Sequence, residues 1–490
     1  DLSAEQMGSE SIEELFDKGD WLDGSALPGE FDTLLADPKT RQLLYAPVIT
    51  CTVDHIIQAS ECNRGGRYMA PVLRLLTSDL VLDEPDDFDQ SDLPALSRLV
   101  HLAGLYGSKI LLSSATLTPD LIAGLYQAYA AGRKIWNAHM GINPALPVCC
   151  AWFDEFRQAF ANCSYSAQFF SEHQQFVSKR LKQLEQQPAR RKADILPIEL
   201  APPPENQKIN MEGLATTLLQ AAIRLHGDHG ETCPTSGKRA SIGLIRFANV
   251  QPIINLVKSL LEQTALDNDI HIHLCCYHAK QLLVLRNALE QKLDRILTRS
   301  DNQSIFQHSE IAEALAASPA KNHLFIVVAS PVAEVGRDHD YDWAIVEPSS
   351  MRSLIQLAGR VWRHRPEKTA DRANIVIMER NLRGLAGDSI AFTRPGFEQK
   401  EPARFLLATH NCRDLLTEQQ LSRIDSVPRI ARNEQLQSKD SLVDLEHAVL
   451  EDLLNNQDNF VAAFWRDGNG NRASAHLQKI SPFRHNETRQ

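Results

Sequence analysis

Ser78-Asp79-Leu80-Val81-Leu82-Asp83-Glu84-Pro85-Asp86 is the stretch whose reading decides the fold. A short apolar run ends abruptly in adjacent carboxylates and a proline. Such a run reads as a strand of a parallel sheet, where both faces are covered. In open α/β sheets ligands sit at the carboxyl ends of the strands. Asp83 and Glu84 are therefore expected where a ligand would be met.

Outward from this strand, helix and strand alternate. Residues 93–106 have helical periodicity and residues 109–113 form another short apolar strand. Upstream, residues 43–52 read as a buried strand, followed by the basic loop Asn63-Arg64-Gly65-Gly66-Arg67. Residues 147–153 read as a closing strand and residues 169–187 as an amphipathic helix. Residues 188–206, with Arg190-Arg191-Lys192 and Pro202-Pro203-Pro204, read as a connection between domains. A second alternation follows: helices at 211–226, 250–261, 280–297 and 353–360, strands at 242–247, 270–277, 324–329, 343–346 and 374–378. The expected class is α/β with two parallel-sheet domains, the first incomplete. The expected divisions are residues 1–160, 161–380 and a linker segment 381–490.

Bulk properties narrow the function classes. At 490 residues the chain holds several domains' worth of core. No apolar run of about twenty residues is present, so nothing is expected to span a membrane. The net charge of -11 argues against a histone-like coat, although a local basic groove overrides an acidic average. Nine cysteines without a Cys-x-x-Cys pair read as reduced thiols of a cytoplasmic protein.

The chemistry-bearing residues fall into two groups. Asp83 fits a Mg²⁺ ligand acting through water, because Mg²⁺ takes one or two carboxylates beside waters and phosphate oxygens. Glu84 fits the base that orients and deprotonates an attacking water. About thirty residues on, Ser114-Ala115-Thr116 closes the next strand, and Ser114 and Thr116 are placed to hydrogen-bond Asp86. In the second block, Glu334-Val335-Gly336-Arg337-Asp338 follows a strand. Gly336 lets the backbone approach a ligand, and Asp338 suits ribose hydroxyls or a nearby arginine. In Gln356-Leu357-Ala358-Gly359-Arg360-Val361-Trp362-Arg363, a continuous helix would project Gln356, Arg360 and Arg363 from one face. There the guanidinium groups reach phosphoryl oxygens, as arginine fingers do.

Asp-Glu-x-Asp, Ser-Ala-Thr, Glu-x-Gly-x-Asp and Gln-x-x-Gly-Arg-x-x-Arg, in this order, resemble motifs II, III, V and VI of superfamily 2 helicases. More narrowly, Asp83-Glu84-Pro85-Asp86-Asp87-Phe88-Asp89 together with residues 356–365 resembles the CRISPR-associated helicase–nuclease of type I systems, best the I-F subtype fused to an adaptation subunit. The resemblance runs from about residue 43 to the end. It implies two RecA-like motor domains that hydrolyse ATP with Mg²⁺ and move 3′ to 5′ on single-stranded DNA. The partners it implies are an RNA-guided surveillance complex (Cascade or Csy), the adaptation integrase and phage anti-CRISPR inhibitors. It also implies a His-Asp nuclease using a divalent transition metal.

The same resemblance implies weaker nucleic-acid contacts at Thr52, at Arg64 and Arg67, and at two strand ends, Arg246-Phe247-Ala248-Asn249 and Tyr277-His278-Ala279-Lys280. Two family features do not occur. No Gly-x-x-x-x-Gly-Lys-Ser/Thr loop exists, since Gly237-Lys238-Arg239 has the wrong spacing, order and final residue. No His…His-Asp metal set is evident either. Both are expected upstream of Asp1, which makes the chain a central portion and leaves it, alone, unable to hydrolyse ATP usefully. The alternatives are another superfamily 2 motor acting on RNA or DNA, and a non-catalytic docking module with helicase-like folds.

Overall fold

The structure is a computed structural model that describes residues 37–61, 68–201, 208–262, 269–299, 301, 304–334, 337–393 and 396–454. The chain divides into two compact units, Asp1–Arg180 with Leu450–Gln490, and Leu181–Val449. Among the described residues no helix is long and apolar enough to cross a membrane.

The first unit opens with α1 (Pro38–Tyr45), where Asp37 accepts from the Thr40 amide and Pro38 stands in the first turn. The expected strand over residues 43–52 is not formed. Its apolar residues finish this capped helix, and Pro47 follows without a ladder donor. Then come α2 (Met69–Thr77), β1 (Leu80–Asp83), α3 (Leu93–Leu105), β2 (Ile110–Ser113) and α4 (Pro119–His139). β1 and β2 pair in parallel, with Asp83 opposite Ser113, so both motif-bearing strands end at one edge. Against α3, α4 packs so closely that a Cβ on Gly132 would lie 2.2 Å from the His101 carbonyl oxygen. The strand expected at 147–153 exists as β3 (Val148–Phe153), but it pairs antiparallel with β4 (Gln158–Cys163) in a separate hairpin. Its inner face packs on Tyr126 and Phe169, and α5 (Ser166–Glu185) follows.

The second unit is a sheet in the order β5-β11-β10-β7-β9-β8, all parallel: β5 (Ala193–Leu196), β7 (Arg239–Arg246), β8 (Ile270–Tyr277), β9 (Asn322–Ala329), β10 (Trp343–Val346) and β11 (Ile375–Met378). The short β6 (Glu231–Thr232) adds antiparallel to β7. Helices α6 (Met211–His229), α7 (Val250–Glu262), α8 (Leu283–Leu297) and α9 (Ser309–Ala317) connect the strands. β10 and β11 are apolar throughout, as burial on both faces favours, while β7 and β9 are mainly apolar but also bury Ser241, Arg246 and His323. Their residues join Leu214, Leu218, Leu225, Ile253 and Leu256 in one core.

Two expectations are corrected here. The stretch 188–206 is not merely a connection, because it contains β5, the sheet's edge strand. Its arginines are anchored, Arg190 to the Trp362 carbonyl at 2.6 Å and Arg191 to the Val361 carbonyl at 3.0 Å. The helix expected over 353–360 is α10 (Met351–Ala358), and Gly359 terminates it. Arg360 and Arg363 therefore lie beyond the helix, so the single face shared with Gln356 does not exist. The tail contributes short helical turns and α11 (Leu442–Leu454).

Candidate functional site

In the first unit the carboxylates are set by a tight turn. Glu84 takes left-handed backbone angles, φ 47° and ψ 53°, while its amide donates to the Ser113 carbonyl at 2.7 Å. A non-glycine residue there costs of order 1–3 kcal/mol and persists only where the surroundings enforce it. The result separates three acids. Asp83 is exposed, Glu84 is half-buried, and Asp86 is buried.

Ser114 and Thr116 hold the two inner acids. The Thr116 hydroxyl donates to Asp86 Oδ2 at 2.6 Å. Ser114 Oγ lies 2.6 Å from Asp86 Oδ1 and 2.7 Å from Glu84 Oε2, and accepts from the Thr116 amide at 3.1 Å. One hydroxyl proton serves one carboxylate at a time, so Ser114 joins Glu84 and Asp86 into a single network. Burial raises the Glu84 carboxyl above its ordinary range. The Ser114 hydroxyl opposes this, and the charges of Asp86, Asp87 and Asp83 reinforce it. A carboxyl raised in this way is closer to the range a general base needs.

In the second unit the segments after β9 and α10 are laced together. Arg360 donates through Nε and Nη2 to the Glu334 carbonyl, with the Nε bond at 3.1 Å. Its Nη1 is buried and has no hydrogen-bond partner among the described residues. Arg363 pairs with Asp338, which His364 also contacts at 3.1 Å. Of the two partners expected for Asp338, the nearby arginine is the one seen. Arg365 binds Asp340 at 2.6 Å and Asp342 at 2.8 Å, all three fully buried. Burial alone would raise the Asp342 carboxyl, but Arg299 and Arg365 hold it down at about 2. Sequence reasoning missed this buried lattice. Its signal was the acids at alternate positions 338, 340 and 342 matched by Arg363 and Arg365.

The remaining residues are scattered. Gln356 sits part-buried on α10, and Thr52 is exposed before a short 3₁₀ turn. Asn249 is exposed, but Arg246 and Phe247 in the same motif are fully buried. Arg246 pairs with Glu334 and donates to the Glu347 carbonyl at 2.9 Å, so it is committed to the core and not to a phosphate. His278 is buried, and burial lowers its pKa. The exposed cation of that strand end is Lys280. Arg64, Arg67 and Gly336 lie outside the described residues. Among the described residues no group of three or more His, Cys, Asp or Glu is arranged to hold a metal ion.

A family model for the C-terminal part of the CRISPR-associated nuclease/helicase Cas3 matches residues 239–366, which include β7 to β10 and the Arg360–Arg365 lattice. The CRISPR-associated nuclease/helicase Cas3 subtype I-F/YPEST of Pseudomonas aeruginosa (strain UCBPP-PA14) is 46% identical over 456 residues, covering 92% of this chain. The chain belongs to the Cas3 nuclease/helicase family. The subtype I-F/YPEST Cas3 of Pectobacterium atrosepticum is 42% identical over 498 residues and covers 98% of the chain. The chain spans 42% and 44% of the length of these two relatives. Among solved structures, T. fusca Cas3-ATP matches at a TM-score of 0.45 and 18% identity, covering 71% of this chain and 34% of that one. A crystal structure of a CRISPR-associated protein matches at a TM-score of 0.48 and 18% identity, covering 90% and 41%.

Proposed function

We propose that this chain supplies the hydrolytic and strand-gripping core of an ATP-driven, single-stranded DNA translocase of CRISPR type I interference. The full-length protein would be recruited by an RNA-guided surveillance complex. It would also carry a His-Asp nuclease outside the described residues and associate with the adaptation integrase. The observation that supports this reading most directly is the network in which Ser114 bridges Glu84 and Asp86 while Thr116 closes on Asp86. A mere acidic turn has no use for a part-buried and a buried hydroxyl closing on its acids, or for a left-handed glutamate.

The chemistry follows from the geometry. Glu84, with a raised carboxyl, accepts the proton of the water that attacks the γ-phosphate. Asp83, exposed beside it, fits Mg²⁺, whose usual donors are one or two carboxylates with water and phosphate oxygens. Bound there, Mg²⁺ would neutralise phosphate charge. Arg360, whose buried Nη1 has no hydrogen-bond partner among the described residues, would have to turn outward to meet a phosphoryl oxygen, whereas Arg363 is paired with the exposed Asp338 and is the readier donor. Asp86, through Ser114 and Thr116, ties the position of the β1 acids to the end of β2, a route by which phosphate loss reaches the rest of the unit.

ATP hydrolysis by the full-length protein, with and without single-stranded DNA, tests this. Glu84→Gln should lower the DNA-stimulated rate by roughly 10²-fold or more, and Arg360→Ala by about 10³-fold, with DNA affinity retained. Hydrolysis by Glu84→Gln at the wild-type rate would remove the assignment. Stronger stimulation by RNA than by DNA would move the protein to another class of superfamily 2 motor.

A further inference from the structure

Residues 337–342 lead into β10, and their side chains leave in alternation to opposite partners, as those of an extended chain do. Asp338, Asp340 and Asp342 meet Arg363 and Arg365. Arg337 and His339 turn the other way and meet the side chains of α8. Arg337 Nη2 lies 2.5 Å from Glu290 Oε2, and its Nη1 donates to Asp294 Oδ2 at 3.1 Å. The fully buried His339 ring has Nε2 at 2.7 Å from Asp294 Oδ1 and Nδ1 at 3.2 Å from the Tyr341 hydroxyl.

Each proton of this group has a consistent place. A carboxylate only accepts, so His339 carries its proton on Nε2, and burial, which lowers its pKa, keeps the ring neutral. Nδ1 then accepts from the Tyr341 hydroxyl. Tyr277, buried at the end of β8, donates to Glu290 Oε1 at 2.9 Å, and Arg286 adds a longer contact to the same oxygen at 3.4 Å. Glu290 and Asp294 are four residues apart on α8, so they share one face. The planar fork of Arg337 spans both, whereas a lysine would hold one at a time. Arg337 and Glu290 are mostly buried, so this is not a surface pair that solvent opens.

We propose that Glu290 and Asp294 are positioning residues for Asp338 and, through it, for Arg363. This rests on the translocase reading above, in which Arg363 donates to a phosphoryl oxygen. Asp338 stands between Arg337 and His339, whose side chains are both fixed to α8. A fixed neighbour on either side sets the direction in which the Asp338 carboxylate leaves the chain, and so where Arg363 waits. The Asp338–Arg363 pair is exposed and too weak to hold one geometry by itself. The carboxylates of α8 supply the rigidity that the pair lacks.

The test is ATP hydrolysis by the full-length protein in the presence of single-stranded DNA. Asp294→Asn keeps the size of the side chain but turns an amide N–H towards Arg337 or His339, both of them donors. It should lower kcat roughly 10- to 100-fold, the cost of misplacing a reacting group by about an ångström. KM for ATP should change by less than about twofold, which also reports that the variant is folded. Asp294 is partly exposed, so Asp294→Glu has room to keep both bonds and should recover most of the rate. Arg337→Lys keeps the charge and one carboxylate contact, and should lower kcat in the same way. In an Asp338→Ala background Asp294→Asn should have no further effect on kcat, because the residue through which it acts is gone. Wild-type kcat in Asp294→Asn and Arg337→Lys, or an equal loss with and without Asp338, overturns the positioning role and leaves the translocase reading in place. A wild type that does not hydrolyse ATP with single-stranded DNA overturns the translocase reading and the positioning role together.

Discussion

Thr116→Val isolates the hydroxyl that closes the acid network. Valine has nearly the shape of threonine, so the substitution removes one donor without opening a cavity. The donor lost is Thr116 Oγ1, 2.6 Å from Asp86 Oδ2, with both residues buried. A hydrogen bond to a charged acceptor contributes about 1.5–3 kcal/mol, and the short distance and burial place this one in that range. The expected loss is about 2 kcal/mol, a roughly thirtyfold change in the unfolding equilibrium. For a unit of this size that corresponds to a fall of about 4–8 °C in Tm. Urea titration should show a lower midpoint at an unchanged slope. Hydrogen exchange of residues 80–116 would assign the loss to the first unit. Thr116→Ser keeps the hydroxyl and loses only a methyl group, so it should retain most of the stability. If the serine variant falls as far as the valine variant, the contribution is methyl packing and the network argument fails. If valine costs under about 0.5 kcal/mol, the Asp86 carboxylate does not depend on Thr116 at all.

Two further outcomes follow from the second unit. Gly243→Ala places a Cβ 2.2 Å from the Trp343 ring in the central strand β7; overpacking should cost about 1–3 kcal/mol, and an unchanged thermal midpoint would show that Trp343 gives way freely. His226, buried against Ser241 and Asn322, is lowered by that burial to about 4 from 6.5. Between these values the unfolded chain binds the proton and the folded one does not, so stability is full above pH 6.5 and declines as pH falls towards 4, by roughly 3 kcal/mol in all. Urea midpoints measured from pH 7 to 4.5 should fall for the wild type and be flatter for His226→Gln; equal slopes would contradict this.

How legible the molecule was depends on how local each signal is. The acids at 83–86 and the hydroxyls at 114 and 116 were readable because each set is written in one apolar run followed by polar residues. Parallel pairing of β1 with β2 then brings the two run-ends together without further information. The central strands were readable for the same reason. What escaped was set by distant partners. Arg190 and Arg191 look like linker charges until the carbonyls of residues 361 and 362 are seen beside them. Arg246 resembles a phosphate ligand by motif, yet Glu334 and Glu347 enclose it. The expected helix face of Gln356, Arg360 and Arg363 fails for a local reason that was available: Gly359 is a poor helix former and marks the end of α10.

The end of α10 has a consequence for the arginines that follow. Beyond Gly359 the chain runs beside residues 337–342, with Tyr341 and Val361 bridged in parallel and Trp362 at φ 52°. Side chains then lace the two segments: Arg360 to the Glu334 carbonyl, Arg363 to Asp338, Arg365 to Asp340 and Asp342. These contacts are not equivalent. The Arg365 group is wholly buried, and removing one partner of such a group costs about 3–5 kcal/mol because a charge is stranded. The Arg363–Asp338 pair is exposed on both sides, where ion pairs contribute about 1 kcal/mol or less. Such a pair opens readily and leaves the Arg365 group intact. Arg360 is held more firmly, by two bonds to the Glu334 carbonyl and with its Nη1 buried. The buried part of the lattice thus fixes the backbone beneath Arg360 and Arg363, while the exposed Arg363–Asp338 pair is able to exchange partners.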